Sequence, residues 1–208
     1  MDTAFLITAF VTLFVVIDPL GLAPLFVALT QGMAPARRRA IALRACGTAI
    51  AILTAFALFG EALLGFVGIS MAAFRVAGGI LLFLTALDML FERRTRRRED
   101  QTEEDHSDDP SVFPLAIPLI AGPGSIASMI LLTGQRPGAE GFALVIGVMV
   151  AVIAVAFLLF LASGLLERAL GRVGITVVTR LLGMLLAALS VQFVLDGLRA
   201  FGFAPAPL

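Results

Sequence analysis

Asp18, Pro19 and Gly21 interrupt an apolar stretch near the start of the chain, and this combination of residues can do chemistry. Proline has no amide hydrogen and frees the carbonyl one turn earlier, so a helix that reaches Pro19 breaks there. Aspartate followed by proline is also the pattern of a helix N-cap and first helical residue. A carboxylate at such a break could meet an ammonium group, a proton or a sodium ion.

Gly122, Pro123, Gly124 and Ser125 interrupt a second apolar stretch in the same way. Glycine allows close approach to the main chain, and Ser125 adds a hydroxyl. Amides at the start of a half-helix attract an anionic group, such as a solute carboxylate. Because main-chain groups in hydrocarbon need partners, two facing breaks would enclose a small polar chamber. Both breaks together form the candidate solute-binding site.

Asp18 also has a purely structural interpretation, in which it caps its half-helix and does nothing else. A carboxylate in mid-membrane costs about 3 kcal/mol on insertion scales. That cost favours a functional role over capping alone, and both interpretations stay open at this point.

The composition indicates the environment of the fold that positions these residues. Of the 208 residues, 60% are hydrophobic and 14% are charged, whereas soluble domains are about 45–50% apolar and about 25% charged. Lipid must therefore be part of the solvent. The zero net charge gives no reason to expect nucleic acid as a partner. With one cysteine (Cys46) and one histidine (His106), the chain has little material for a metal site or for a Cys/His enzyme.

Six apolar stretches are each long enough for a membrane span, which needs about 20 residues. The first has no basic residue before it and no small-residue cleavage site, so we expect a retained span and not a signal peptide. The predicted fold class is an all-α polytopic membrane protein with six transmembrane helices, in which spans 1 and 4 are broken at proline. The stretches cover residues 4–29, 41–61, 73–91, 112–133, 142–163 and 179–201.

Arginines near the spans predict the orientation, because cytoplasmic loops carry an excess of basic residues. The loops after spans 1, 3 and 5 are rich in arginine, as in Arg37–Arg39, whereas the opposite side has Arg136 and Arg199. Both termini should therefore face outward, and the charged segment at 92–110 should be cytoplasmic. The predicted location is a bacterial cytoplasmic (inner) membrane.

The two halves of the chain resemble each other. Pro19 and Pro123 are 104 positions apart, and Arg75 and Arg180 are 105 apart. Three spans per half make the second half enter from the opposite face, so we predict two inverted three-helix repeats, as in many secondary transporters. The predicted units are residues 1–91, a charged linker at 92–110, and residues 111–208. From each arginine a glycine follows at +3 and a hydroxyl at +10: Gly78 and Thr85, then Gly183 and Ser190.

Four polar residues of the third and sixth spans are candidates for a gating or structural role: Arg75, Arg180, Ser190 and Gln192. The arginines could instead extend to lipid headgroups. Their equivalent positions in the repeat favour an ion pair, while Ser190 and Gln192 lie deeper in span 6 and could line the path.

The runs FRVAGGILLF from Phe74, PLAIPLIAGPGSIA from Pro114 and TRLLGMLLAALSVQFVLDG from Thr179, together with the motif at Asp18, resemble the MarC family of integral membrane proteins. The match covers nearly the whole chain in the same order. The resemblance implies six spans, an inner-membrane location and a relation to LysE-type exporters. The resemblance also implies one possible function, the transport of small neutral amino acids, which has been proposed for some members.

The favoured function is a secondary transporter of small neutral or zwitterionic solutes, amino acids among them, with H⁺ or Na⁺ coupling open and no other cofactor. The partners are the lipid bilayer and a small-molecule substrate, and a homo-oligomer is left open. The alternative is a non-transporting membrane scaffold or subunit that acts through the 92–110 loop. An intramembrane enzyme is disfavoured because the spans lack histidine and an evident pair of aspartates.

Overall fold

The computed structural model describes residues 3–91 and 109–203. All regular structure in these residues is helical, which confirms the all-α fold class. Residues 92–108, which make up most of the predicted charged linker, lie outside the described part. The helices are α1 (Thr3–Ile17), α2 (Pro19–Leu29), α3 (Pro35–Val67), α4 (Met71–Leu90), α5 (Ser111–Ile120), α6 (Pro123–Gln135), α7 (Ala139–Leu161) and α8 (Ser163–Ala200).

These helices supply the spans of a polytopic membrane protein. Five stretches are long and apolar enough to cross a bilayer, and α5 with α6, bent by 56° at their break, makes a sixth when counted as one span. Two helices run beyond the predicted apolar stretches: Pro35–Val67 against 41–61, and Val173–Ala200 against 179–201. The apolar window is shorter because a helix continues past the hydrocarbon into the interface, where polar residues are tolerated.

The fourth span is more irregular than one proline break predicts. Inside α5, Phe113 and Ile117 have extended backbone (φ −124°, ψ 128° and φ −125°, ψ 125°). Each precedes a proline, Pro114 or Pro118, and the proline ring disfavours α-helical geometry in the residue before it. The break at Gly122 is therefore the last of three departures from helix in this span. In α8, Gly171 interrupts the helix with φ 60°, and the membrane stretch starts after it.

Helices α4 and α8 pack along each other in opposite directions. A Cβ built on Gly79 would meet Ser190 and Val194, and one built on Gly183 would meet Ala86 and Met89. The absence of side chains at these glycines lets the two backbones approach closely, as in many membrane helix pairs. Antiparallel packing of the third helix of each half is what inverted repeats require.

Three further pairs of contacts follow the same exchange of halves. Helix α2 packs on α7 and α8, and α6 packs on α3 and α4; α1 packs on α7, and α5 packs on α3. Swapping the two halves converts each of these contacts into its counterpart. The boundaries at residues 91 and 111 remain predictions, since most of the linker lies outside the described residues.

The outer surface is apolar, as a lipid-facing surface should be. Phe66 is 90% exposed and Val173 is 78% exposed, and many other large apolar side chains point outward. Such a surface in water would be an aggregation site. The buried cores lie inside the bundle, one around α1, α2, α3, α5 and α7 and a second among α1, α4, α6 and α8.

Candidate functional site

The first break lies at Asp18, between α1 and α2. Its backbone is left-handed (φ 56°, ψ 63°), and its carboxylate accepts a hydrogen bond from the Gly21 amide at 3.1 Å. Aspartate tolerates this conformation better than most residues because its short polar side chain can bond locally. Asp18 is 1% exposed, so the predicted cap is present and the carboxylate is buried in the interior of the span.

Gly21 leaves room for the cap. A Cβ at this position would overlap the Asp18 carboxylate, so a larger residue would displace the carboxylate from the Gly21 amide. Pro19 fills the first position of α2, where a missing amide hydrogen is tolerated. All three residues that the sequence singled out at this break therefore contribute to its geometry. Solute binding by them remains a hypothesis.

The second break differs from the first in how it is capped. Gly122 is the N-cap of α6 in extended conformation, Pro123 follows, and no side chain caps the helix. Ser125 is 2% exposed, and its hydroxyl donates to the carbonyls of Ile120 at 2.7 Å and Gly122 at 3.0 Å. The hydroxyl hydrogen is thus engaged, so the Ser125 oxygen offers only lone pairs to a ligand. The first-turn amides of Gly124 and Ser125 point toward the break with no capping side chain.

The two breaks are adjacent in the fold. A Cβ on Gly124 would lie 3.1 Å from Cγ1 of Val16, 3.6 Å from Cδ2 of Leu82 and 3.7 Å from Oγ1 of Thr85. Val16 is two residues before Asp18, and Gly124 is two residues after Gly122. The start of α6 therefore sits on the last turn of α1, beside the middle of α4.

Buried hydroxyls surround this contact, and two of them were missed by reasoning from sequence. Ser128 and Thr12 are both 0% exposed. Ser128 donates to the Gly124 carbonyl at 2.8 Å, and Thr85, already noted as a repeat landmark, donates to Leu81 at 2.9 Å. Helical spacing could have found both missed residues, because Thr12 is four residues before Val16 and Ser128 is four after Gly124.

The two predicted polar residues of α8 are separated by the structure. Ser190 is buried, and its hydroxyl donates to Ala187 at 2.7 Å. Gln192 is exposed and donates to Asp196 at 2.8 Å, because Phe193 turns inward in this part of α8 and its neighbour points about 100° away. A role for Gln192 in lining a path remains a prediction.

The two predicted gating arginines lie at different depths of the α4–α8 interface. A Cβ on Gly197 would meet Ala72 and Val76, which brings Arg75 to the level of Asp196. Asp196 pairs with Arg199 at 3.5 Å, and Nε of Arg75 is buried without a hydrogen-bond partner among the described residues. Arg180 is exposed on α8. A gating role for either arginine remains a prediction.

Aromatic rings and arginines contact each other near both ends of the bundle. At the predicted cytoplasmic end, Phe26 stacks on Phe160 at 4.7 Å between centroids. The Arg38 guanidinium lies 5.6 Å from the Phe26 ring and donates to Ser163 at 3.3 Å. At the opposite end, the Arg136 guanidinium lies 5.0 Å from the ring of Phe5.

Two residues of the charged linker are described, Asp109 and Pro110, and Asp109 anchors α5 to α3. Asp109 pairs with Arg44 at 2.8 Å and accepts from the Ser111 amide at 3.2 Å. A hydrogen bond from the Ser111 side chain, followed by the Ser111 amide and the charges of Arg44 and Arg37, lowers the pKa of Asp109 despite some desolvation. Asp109 is thus a fixed anion at the start of the second half.

Comparisons with known proteins agree with this architecture. The sequence model of the family described as MarC family integral membrane protein matches residues 3–201. A UPF0056 membrane protein of Methanocaldococcus jannaschii is 38% identical over 96% of this chain and 98% of its own length. The UPF0056 membrane protein YvbG of Bacillus subtilis is 37% identical over 96% of both chains. The UPF0056 inner membrane protein YhgN of Escherichia coli K12 is 36% identical over 93% of this chain and 96% of its own. No solved structure matches.

Proposed function

The chain belongs to the MarC family of integral membrane proteins, and we propose that it is a secondary transporter of small neutral or zwitterionic solutes, amino acids among them. The solute is held between the half-helices around Asp18–Pro19 and Gly122–Pro123. One observation carries the proposal: the two breaks lie side by side, with Gly124 against Val16. Broken helices from inverted repeats that meet inside the bilayer are the usual construction of a transporter site.

The charges at the two breaks suit a zwitterion. The Asp18 carboxylate can pair with an ammonium group, and the uncapped amides at the start of α6 can bind a carboxylate at the positive end of the helix. A solute with both charges would satisfy both ends at once, whereas a purely anionic solute would be repelled by Asp18.

Contacts at the two ends of the bundle are the proposed gates for alternating access. Arg38, Phe26 and Phe160 meet at one end, and Arg136 meets Phe5 at the other. A carrier has to open its ends in turn around a fixed site. The contact of Arg136 with Phe5 would cost about 0.5–1 kcal/mol to open, whereas the other end also requires separating two stacked rings that are each 1% exposed.

The proposed setting is a bacterial cytoplasmic (inner) membrane with both termini outside and the 92–110 segment inside. The relative in Escherichia coli is named an inner membrane protein, and the arginine distribution favours this orientation. Asp18 is the residue through which H⁺ or Na⁺ coupling would act, because it is the buried carboxylate of the site.

The test is solute flux in proteoliposomes with Asp18→Asn. Asparagine also caps helices and tolerates left-handed backbone, so the variant keeps the break and loses the charge. We expect flux to fall at least about 10-fold, equivalent to about 1.4 kcal/mol, with the melting temperature nearly unchanged. The matched control is Asp196→Asn, the same chemical change on a half-exposed carboxylate of α8, which should transport normally.

Two outcomes would reject the proposal. One is a native flux that Asp18→Asn leaves intact. The other favours the scaffold alternative: replacing residues 92–108 by a glycine–serine linker of equal length abolishes cellular function while Asp18→Asn does not.

A further inference from the structure

Thr12 is an unusual residue in the interior of this bundle. Its hydroxyl is fully buried, and it has no hydrogen-bond partner among the residues that the structure describes. Threonines in helices normally donate to the carbonyl one turn earlier, and three others here do so: Thr30 at 2.6 Å, Thr85 at 2.9 Å and Thr133 at 2.9 Å. The Thr179 hydroxyl is also buried without a hydrogen-bond partner among the described residues, but Thr179 lies in the first turns of the last span.

The face on which Thr12 lies is fixed by two contacts of α1. Phe5, Thr12 and Val16 are spaced by seven and four residues, so they share one helix face. Phe5 lies under Arg136, which follows α6, and Val16 lies against Gly124 in its first turn. Thr12 therefore faces α6, between these two contacts.

The same contacts give the register between the helices. Since residue 5 meets 136 and residue 16 meets 124, α1 and α6 run in opposite directions and Thr12 falls at the level of Ser128. Ser128 is one turn after Gly124 and is fully buried. Its hydroxyl hydrogen is taken by the Gly124 carbonyl at 2.8 Å, which leaves its oxygen as an acceptor.

By this register the Thr12 and Ser128 side chains lie at the same level of the α1–α6 contact, one helical turn beyond the contact of Val16 with Gly124, and no hydrogen bond joins them. Thr12 offers an unused donor and acceptor, and Ser128 offers an acceptor. A group that both donates and accepts, such as a hydroxyl or a carboxamide, matches this set. Thr12 lies six residues from Asp18, about 9 Å of helical rise, which a small solute with hydrogen bonds at both ends can span.

We propose that Thr12 and Ser128 bind the side group of the solute, so that the transporter selects small amino acids with a hydroxyl or carboxamide side group over apolar ones of the same shape. This inference rests on the proposed function, since it assigns the solute to the site at Asp18. Thr12 is then a specificity-determining residue and Asp18 the residue that holds the charged end.

The experiment compares solutes that differ by one hydroxyl: threonine with valine, and serine with alanine. Binding is measured as the solute-dependent rise in melting temperature of the purified protein in nanodiscs, and flux in proteoliposomes. For the native protein we expect threonine to bind about 10-fold more tightly than valine, the effect of one good hydrogen bond in a buried site. Thr12→Val should bring this ratio near one without weakening valine binding, and Thr12→Ser should keep the preference.

The control is Thr133→Val, which removes a hydroxyl that is bonded to its own helix and should leave the ratio unchanged. A purely structural role for Thr12 would lower the binding of both solutes alike. An unchanged ratio in Thr12→Val, or a native preference for valine, overturns the inference and leaves the proposed function standing if Asp18→Asn still abolishes binding. A native protein that binds none of the four solutes rejects the inference, and the proposed function is then decided by the flux of other small zwitterions and its dependence on Asp18→Asn.

Discussion

Gly79 of α4 packs directly on the main chain of Ser190 in α8. A Cβ at residue 79 would lie 2.8 Å from the Ser190 carbonyl oxygen and 2.7 Å from Cγ2 of Val194. The oxygen belongs to the backbone, so a rotamer change cannot relieve the overlap. This contact joins the third helix of each half, so it sets how closely the two halves approach each other.

Gly79→Ala should therefore destabilise the protein. Two backbones must separate to admit one methyl group, and overpacking of this kind costs about 1–3 kcal/mol. The measurement is the free energy of unfolding in denaturant, or the melting temperature, of the protein in mixed micelles. Gly47→Ala is the matched control, because nothing lies within 4 Å of a Cβ at residue 47 in the middle of α3. Equal stability of the two variants would contradict the packing at Gly79.

Thr12→Val should make the solute-free protein more stable. A buried hydroxyl without a partner costs free energy that an apolar group of the same shape does not, and the gain should be about 1 kcal/mol. Thr85→Val is the comparison, since its hydroxyl is already bonded to Leu81 and no gain is expected. Melting curves without added amino acid measure both. A loss of stability in Thr12→Val larger than that in Thr85→Val would show that the Thr12 hydroxyl has a structural partner.

Asp109→Asn should remove a small, pH-dependent contribution to stability. The pKa of Asp109 is lowered in the folded state, so its contribution is fully present above the ordinary pKa of about 3.9. It is lost as the pH falls through the lowered value. Both partners are about half exposed (55% and 44%), so the pair with Arg44 contributes at most about 1 kcal/mol at neutral pH and less at high salt.

The measurement for this pair is a double-mutant cycle with Arg44→Ala at pH 7 and at a pH well below the lowered pKa of Asp109. The coupling energy should be favourable at pH 7 and vanish at the acid end. A coupling that persists in acid would mean that the carboxylate is not the interacting form.

The proposed orientation predicts which loops a membrane-impermeant thiol reagent reaches. In a Cys46→Ala background, a cysteine at Ala139, the exposed first residue of α7, should be labelled in intact cells. A cysteine at Gln31, exposed between α2 and α3, should be labelled only after the membrane is opened. The opposite pattern would invert the topology and place the arginine-rich loops outside.

The sequence by itself determined that the protein lies in a bilayer, that its fold is helical, and where its first and fourth spans are broken. Apolar runs of about 20 residues leave few alternatives to a membrane helix. Proline removes a main-chain donor, and Pro19 and Pro123 follow Asp18 and Gly122, residues that favour a helix start, so the sequence places the breaks there. Pro24, by contrast, lies inside α2 without ending it. The repeat landmarks at Arg75 and Arg180 pointed to inverted halves, and the antiparallel contacts of α4 and α8 have that arrangement.

Only the tertiary structure decided which side chains share the interior. Gln192 and Ser190 are two positions apart in the same polar stretch, yet one is exposed and the other buried, because the direction of a helix face depends on its neighbours. In the sequence, nothing distinguishes Thr12 from the other residues of an apolar helix. The contacts of Phe5 and Val16 show that Thr12 lies on the side of α1 that faces α6. Hydropathy depends on residue type alone, whereas the partners of a buried hydroxyl depend on the register between helices far apart in the chain.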